Sequence, residues 1–350
     1  MSFWQGKRVL LTGHTGFKGA WAARWLATMG AQVTGLALPP PSGPTLFSML
    51  GQGLFAASHL VDLRGLPRVE DVVRAARPEI VLHLAAQPLV RLSYGEPVET
   101  FGSNVMGTVN LLDALRRLAR PQAIVVVTSD KVYANDESGR ACREGDRLGG
   151  HDPYSASKAA TEIVVSSFRH SYFLAAGVPL VTARGGNVIG GGDYSADRLV
   201  PDIVRALVAG DCPSLRNPAS TRPWQHVLDC LDGYFHYAEA CAREDQVPSA
   251  LNFGPPNDAS AVTVAELTRR MQKALGQATT FDLDAADAPK EMRELAINSS
   301  LAKHTLGWRP KLTSEATIQM TADWYSAESS GANMIRFTDM QIETYRGIHL

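Results

Sequence analysis

The sequence predicts a doubly wound α/β fold, a parallel sheet flanked by helices, with a smaller substrate-binding lobe toward the C-terminus. Three observations carry this. Short, wholly apolar runs alternate with stretches of helical period through the first half of the chain, and strands of continuous apolar residues are those covered on both faces. A glycine-rich turn with the spacing Gly13-x-x-Gly16-x-x-Gly19 falls between the first such run and the first helical stretch. After Gly185 the rhythm breaks, and Gly and Pro become frequent, as in Gly190-Gly191-Gly192 and Asn217-Pro218.

Taken in order, residues 8–11 form a buried-strand pattern that ends at Thr12-Gly13, and a helical pattern through Trp21, Leu26 and Met29 stops at Gly30. Residues 32–38 read as a second strand, 59–63 as a short third, and 67–76 as a helix. The runs EIVLHLA (79–85) and QAIVVVT (122–128) are the fourth and fifth strands, with a helical stretch at 101–118 between them. A long helix is predicted over 154–172 and a sixth strand from 180. Residues 227–254 carry a helix and a strand pattern that return to the first domain. The expected division is a dinucleotide-binding domain over 1–185, joined by 227–254, and a lobe made of 186–226 and 255–350. Ligands in such sheets lie beyond the carboxyl ends of the strands, so the loops after strands one, four, five and six should line the site.

The composition excludes several classes. A formal net charge of -1 gives no reason to expect nucleic acid or an anionic membrane as a partner. Cys142, Cys212, Cys230 and Cys241 match the spacing of neither a metal site nor a disulfide framework, which points to reduced thiols. The stretch before the first strand is not an apolar signal segment and no run is long enough to span a bilayer, so a cytoplasmic protein is expected.

The glycine turn has a physical use. Gly13 allows the tight turn, Gly16 lets backbone N–H groups approach a pyrophosphate, and Gly19 allows close helix–strand packing. Thr15, Phe17 and Lys18 lie between them and are further cofactor-binding candidates. Tyr154 and Lys158 are four residues apart on one helix and so share a face. A free tyrosine has a pKa of about 10. A nearby ammonium and a positive nicotinamide ring would favour its phenolate, giving a group that can take a proton from an alcohol. Ser129, Asp130 and Lys131 follow Thr128 at the carboxyl end of the fifth strand.

The G-x-x-G-x-x-G spacing resembles the short-chain dehydrogenase/reductase superfamily. That resemblance implies adenine contacts at Asp62-Leu63, a cofactor wall at Leu84-Ala85-Ala86, and further cofactor contacts at Asn104, Thr128, Tyr154 and Lys158. It also implies that Ser129 holds the substrate oxygen. The second strand runs into Leu38-Pro39-Pro40-Pro41, with neither an acid for a ribose 2′-hydroxyl nor an arginine for a 2′-phosphate. NAD rather than NADP is therefore an implication of the family.

Longer segments narrow the resemblance. Gly13-His14-Thr15-Gly16-Phe17-Lys18-Gly19, Gln87-Pro88-Leu89-Val90-Arg91, Thr128-Ser129-Asp130-Lys131 and Gly149-Gly150-His151-Asp152-Pro153-Tyr154 look like the CDP-glucose 4,6-dehydratases. So do Asn187-Val188-Ile189-Gly190-Gly191-Gly192-Asp193, Arg216-Asn217-Pro218 and Arg222-Pro223-Trp224-Gln225-His226-Val227. Relatives that use dTDP-glucose or GDP-mannose typically carry Glu where Lys131 stands. The resemblance implies a tightly bound NAD regenerated each turnover, Tyr154 as the base at the sugar 4-hydroxyl, Asp130 as the acid for the leaving 6-hydroxyl, and Lys131 as the C5 base. Gln87, Asn187, Arg198, Arg216, Arg222 and Arg293 are the candidates for binding a CDP-sugar, since guanidinium groups make bidentate phosphate contacts. It further implies a homodimer in which helices 101–118 and 154–172 of each subunit form a four-helix bundle. Two segments depart from the pattern: residues 134–140 lack tryptophan, and Lys290-Glu291-Met292-Arg293 replaces a histidine-led stretch. A 4-epimerase or reductase of the same fold, or a dehydratase for another nucleotide sugar, stays open.

Overall fold

In a computed structural model the protein is described over residues 2–134, 138–243, 246–255, 262–284 and 296–349. Seven strands form one sheet: β1 (Arg8–Thr12), β2 (Gln32–Ala37), β3 (Ala57–Leu60), β4 (Ile80–His83), β5 (Ala123–Val127), β6 (Leu180–Gly185) and β7 (Ala250–Phe253). Their order is β7-β6-β5-β4-β1-β2-β3 and every pairing is parallel. The order reverses between β1 and β4, and a crevice opens there at the carboxyl edge.

Alternation along the central strands fills two cores. Val9, Leu11, Ile80, Leu82, Val125 and Val127 face one side, and Leu10, Val81, Ile124 and Val126 the other. On the first side lie α1 (Phe17–Thr28) and a helix at Val227–Ala242, and on the second helices at Leu66–Ala76, Gly107–Leu118 and Pro153–Phe168. The last two helices, Ser314–Ser329 and Met334–Arg346, also join the first core. Arg24 on α1 pairs with Asp339, the Trp25 ring stands 5.5 Å from that of Tyr345, and the Tyr345 hydroxyl donates to Asp229 at 2.8 Å. Residues 314–346 thus pack on the sheet's own helices, whereas the sequence grouped them with the second lobe.

Three boundaries differ from expectation. The third strand ends at Leu60, so Asp62 and Leu63 lie beyond it. The stretch 101–118 is not one helix, because a wide i→i+5 turn at Gly102–Met106 precedes the helix Gly107–Leu118. That turn lets the Asn104 carbonyl accept from the hydroxyls of Thr108 (2.7 Å) and Thr161 (3.0 Å). The long helix runs over Pro153–Phe168 and closes in a second wide turn, Arg169–Phe173.

The Gly190-Gly191-Gly192 stretch is packed. A Cβ on Gly191 would lie 2.0 Å from the Trp324 ring, and one on Gly190 2.7 Å from Val227.

A buried charge pair joins β6 to the Pro153–Phe168 helix. Arg184 donates from Nε and Nη2 to the two oxygens of Glu162 at 3.0 and 2.8 Å, with both side chains at most 5% exposed. Glu162 also accepts from Thr128 (2.5 Å) and Thr182 (2.9 Å), and Arg184 reaches the Tyr133 hydroxyl (2.9 Å) and the Glu144 carbonyl (3.0 Å). Removing one partner strands the other charge, which costs about 3–5 kcal/mol, whereas removing both does not. Arg184→Met is therefore expected to lose about that much stability in denaturant melts, and Arg184→Met with Glu162→Met to lose less. A double variant that is worse than the single would show that the cost is not the stranded charge.

Candidate active site

A cleft of ≈ 660 Å³ lies at the crevice. Its first wall begins where β1 meets β4. The Thr12 hydroxyl bonds His83 Nδ1 at 2.6 Å and accepts from Ala85 N at 3.1 Å, drawing the two strand ends together. Gly13 then turns with φ 76, and a Cβ there would sit 2.7 Å from Ala85 N. A Cβ on Gly19 would sit 2.0 Å from the Gly13 carbonyl oxygen. Both positions admit only glycine. Helix α1 starts at Gly16 without a side-chain cap and with no acid in its first turn, leaving its N–H groups for an anion. This uncapped end and the close β1–β4 approach fit a dinucleotide pyrophosphate.

Most residues singled out from the sequence line this cleft. Gly13, Thr15, Gly16, Phe17, Lys18 and Gly19 form one edge. Asp62 and Leu63 stand at one end, and Leu84, Ala85, Ala86 and Gln87 lie along the wall. Thr128, Ser129, Asp130, Lys131, Tyr154 and Lys158 make the floor. Asn187, Arg198, Arg216 and Arg222 face them from the second half of the chain.

Two candidates stand differently from expectation. Asn104 is buried behind the wall. Its amide accepts from Gln87 N at 2.8 Å and donates to the Gln87 carbonyl (3.1 Å) and Ser157 (2.8 Å), so it braces the wall without reaching the cleft surface. The Gln87 side chain is already engaged, donating to the Leu89 carbonyl of its own loop and to the Thr100 hydroxyl on the helix Pro97–Phe101, and accepting from Leu89 N at 2.6 Å. Arg293, with the rest of Lys290–Arg293, lies outside the described residues, as do residues 135–137 of the tryptophan-free loop.

The floor is electrostatically uneven. The Ser129 hydroxyl donates to Asp130 Oδ1 at 3.0 Å and accepts from Lys131 N at 3.2 Å, which fixes the short turn 130–132. Asp130 is 2% exposed, its Oδ2 makes no hydrogen bond, and burial pushes its pKa up. Lys131 is half-buried beside it. Burial also pushes the Tyr154 phenol up to about 12, with the Ser129 hydroxyl pulling the other way. Lys158 donates to the Val127 carbonyl at 3.1 Å, and its pKa falls to about 7 through burial and then the charge of Lys18. The protein alone thus does not favour the phenolate. Nothing in the residues around Lys158 along the chain foretold so strong a desolvation.

Several residues here escaped sequence reading. Glu162 continues the Tyr154–Lys158 face by one more turn, and Arg184 interrupts an apolar strand; each was a readable sign of a buried charge. Arg91 and Asp197, which also line the cleft, gave no such sign.

The Lys158 shift has a pH signature. An amine lowered on folding costs stability fully below its folded pKa of about 7, and the cost fades as pH rises toward its ordinary 10.5. Lys158→Met is expected to melt above the parent at about pH 6, with the gap closing by about pH 10. A gap that is constant across that range would contradict the buried ammonium.

Comparison with known proteins agrees with this geometry. A CDP-glucose 4,6-dehydratase of Salmonella typhimurium is 43% identical over 350 residues, covering 98% of this chain and 97% of its own. A UDP-glucose 4-epimerase of Thermus thermophilus, solved in complex with NAD, superposes with a TM-score of 0.78 at 26% identity, covering 91% of this chain and 98% of that one. A dTDP-glucose 4,6-dehydratase of Bacillus anthracis, also in complex with NAD, has a TM-score of 0.76 at 22% identity over 93% of this chain and 99% of that one, a likeness of fold. The family model for GDP-mannose 4,6 dehydratase matches residues 10–321. The chain belongs to the GDP-mannose 4,6 dehydratase family.

Proposed function

We propose that this chain is an NAD-dependent CDP-glucose 4,6-dehydratase, a hydro-lyase that turns CDP-D-glucose into CDP-4-keto-6-deoxy-D-glucose and water. One observation carries the reading beyond the family: a buried carboxyl of raised pKa, Asp130, shares the cleft floor with Lys131 and Tyr154. An alcohol oxidation alone uses Tyr154 and leaves Asp130 and Lys131 idle. An elimination needs an acid at one carbon and a base at its neighbour.

NAD, when bound, supplies a hydride acceptor for C4, a donor for C6 and a positive ring beside the phenol. Tyr154 takes the proton of the 4-hydroxyl while Ser129 holds that oxygen. Once C4 is a ketone, Lys131 removes the acidified C5 proton and Asp130, whose protonated form burial favours, gives its proton to the leaving 6-hydroxyl. Lys131 later returns its proton to C5. The cycle leaves Tyr154 one proton richer and Asp130 one poorer, and the Ser129 hydroxyl, which bonds Asp130 and acts on Tyr154, stands where that proton can pass.

Arg216, Arg222 and Arg198 hold the diphosphate in this reading, with Asn187 near the diphosphate or the sugar, and Arg293 is a further candidate from the sequence alone. The dinucleotide half is 1–185 with 227–254 and the helices of 314–346 packed on it, and the substrate-facing lobe is drawn from 186–226 and 255–313. The protein acts in the cytoplasm as a homodimer through a four-helix bundle of the 101–118 and 154–172 segments. Phe101, Met106, Ile163 and Tyr172, which are 39%, 51%, 63% and 43% exposed there, support that interface. No helix among the described residues is long and apolar enough to cross a membrane.

Incubation with CDP-glucose is expected to give a product lighter by about 18 Da, one water, with no net change in NAD reduction. Unchanged mass with altered sugar stereochemistry would instead make the protein an epimerase. Lys131→Ala is expected to start C4 oxidation but accumulate no dehydrated product, and normal dehydration by it would remove Lys131 from the mechanism. Tyr154→Phe is expected to stop the reaction before C4 oxidation.

A further inference from the structure

The cleft is crossed by an ion-pair cluster of which the reading above uses only Arg216. Arg91, on the short helix Val90–Gly95 that follows β4, donates from Nη1 to Asp197 Oδ1 at 2.8 Å. Arg216, from the other half of the cleft, brings Nη2 to 3.5 Å from the same oxygen. All three residues line the cleft. Asp197 holds φ 57, a left-handed backbone that L-residues other than Asn and Asp rarely adopt. Its neighbour Arg198 has a separate partner, Asp193 Oδ2 at 3.2 Å.

Two guanidinium groups from opposite sides therefore converge on one carboxylate oxygen. They would repel each other without it, and the trio keeps one net positive charge. Each guanidinium has five donors in a planar fork, and Asp197 engages few of them. A diphosphate offers the same acceptor chemistry as a carboxylate, with more oxygens and more negative charge.

We propose that Arg91 is a diphosphate-binding residue of the substrate site, and that Asp197 is a resident counter-ion whose place on Arg91 and Arg216 the substrate diphosphate takes. The proposal rests on the nucleotide-sugar reading given above. It adds to that reading an arginine from the dinucleotide half, so that the diphosphate is gripped from both sides. It also assigns Asp197 a competing role in place of a supporting one.

Calorimetric binding of CDP and CMP to the full-length protein tests it. Loss of a charge-assisted contact to the second phosphate is expected to weaken CDP about tenfold or more in Arg91→Gln, while CMP changes by less than about twofold. Asp197→Asn keeps the size and the left-handed backbone of the parent residue, and is expected to bind CDP severalfold more tightly. Arg91→Gln that binds CDP like the parent, or that loses CDP and CMP equally, overturns the assignment of Arg91. Weaker CDP binding by Asp197→Asn overturns the counter-ion role. Failure of the underlying reading shows separately, as a parent protein that releases no water from CDP-glucose whatever its preference for CDP over CMP.

Discussion

The cleft floor depends on the Glu162–Arg184 pair. Glu162 lies one helical turn beyond Lys158 and two beyond Tyr154, so fixing it fixes the helix face that carries both. It reaches β5 through Thr128, the residue before Ser129, and β6 through Thr182 and Arg184. Arg184 passes the constraint to Tyr133, whose hydroxyl donates to Asn252 on β7 at 2.7 Å. Three strand ends and one helix are thereby held in a single hydrogen-bonded unit. Burying two ions is costly in itself, and a well-packed apolar pair could hold the same elements as firmly. What the ions add is direction: each oxygen and each N–H has a named partner, so a shift of register would leave several of them stranded.

The same burial that stabilises the unit sets the chemistry. Asp130, Tyr154 and Lys158 all sit where water is scarce, and each is pushed toward its neutral form. A neutral carboxylic acid is what a leaving hydroxyl needs. A neutral phenol is not what an alcohol proton needs, so the floor by itself is poised for elimination more than for oxidation. The positive charge that corrects this comes with the dinucleotide, whose seat on the uncapped end of α1 is built independently by glycines 13 and 19.

Much of this was legible beforehand. Continuous apolar runs such as AIVVV and IVLH can only be interior parallel strands, and the glycine turn between a strand and a helix marked the β1 edge of the cleft. Tyr154 and Lys158 stood out by their four-residue spacing and Ser129, Asp130 and Lys131 by resemblance, and all five line the cleft. What stayed hidden was long-range. Asn104 reads as a cofactor contact, yet a wide helical turn faces it toward Gln87 and Ser157, because spacing along a helix does not reveal where the helix deviates. Gln87 reads as a substrate ligand, yet its amide closes its own loop. The meeting of Arg91 with Asp197 joins residues 106 positions apart, and nothing local to either foretells it. The last two helices looked like part of a second lobe because their apolar faces do not say which core they will join.

The glycine triplet 190–192 bears on how the protein moves. Three glycines between two halves of a chain suggest a swivel. Here the backbone runs against Val227, Trp324 and Leu46 with no room for even a methyl group at Gly191, so the small residues serve close approach and leave no slack. A rearrangement that admits a substrate is then expected away from this triplet, among the long charged side chains that cross the cleft. Because those side chains meet through ion pairs, substrate affinity is expected to fall as ionic strength rises.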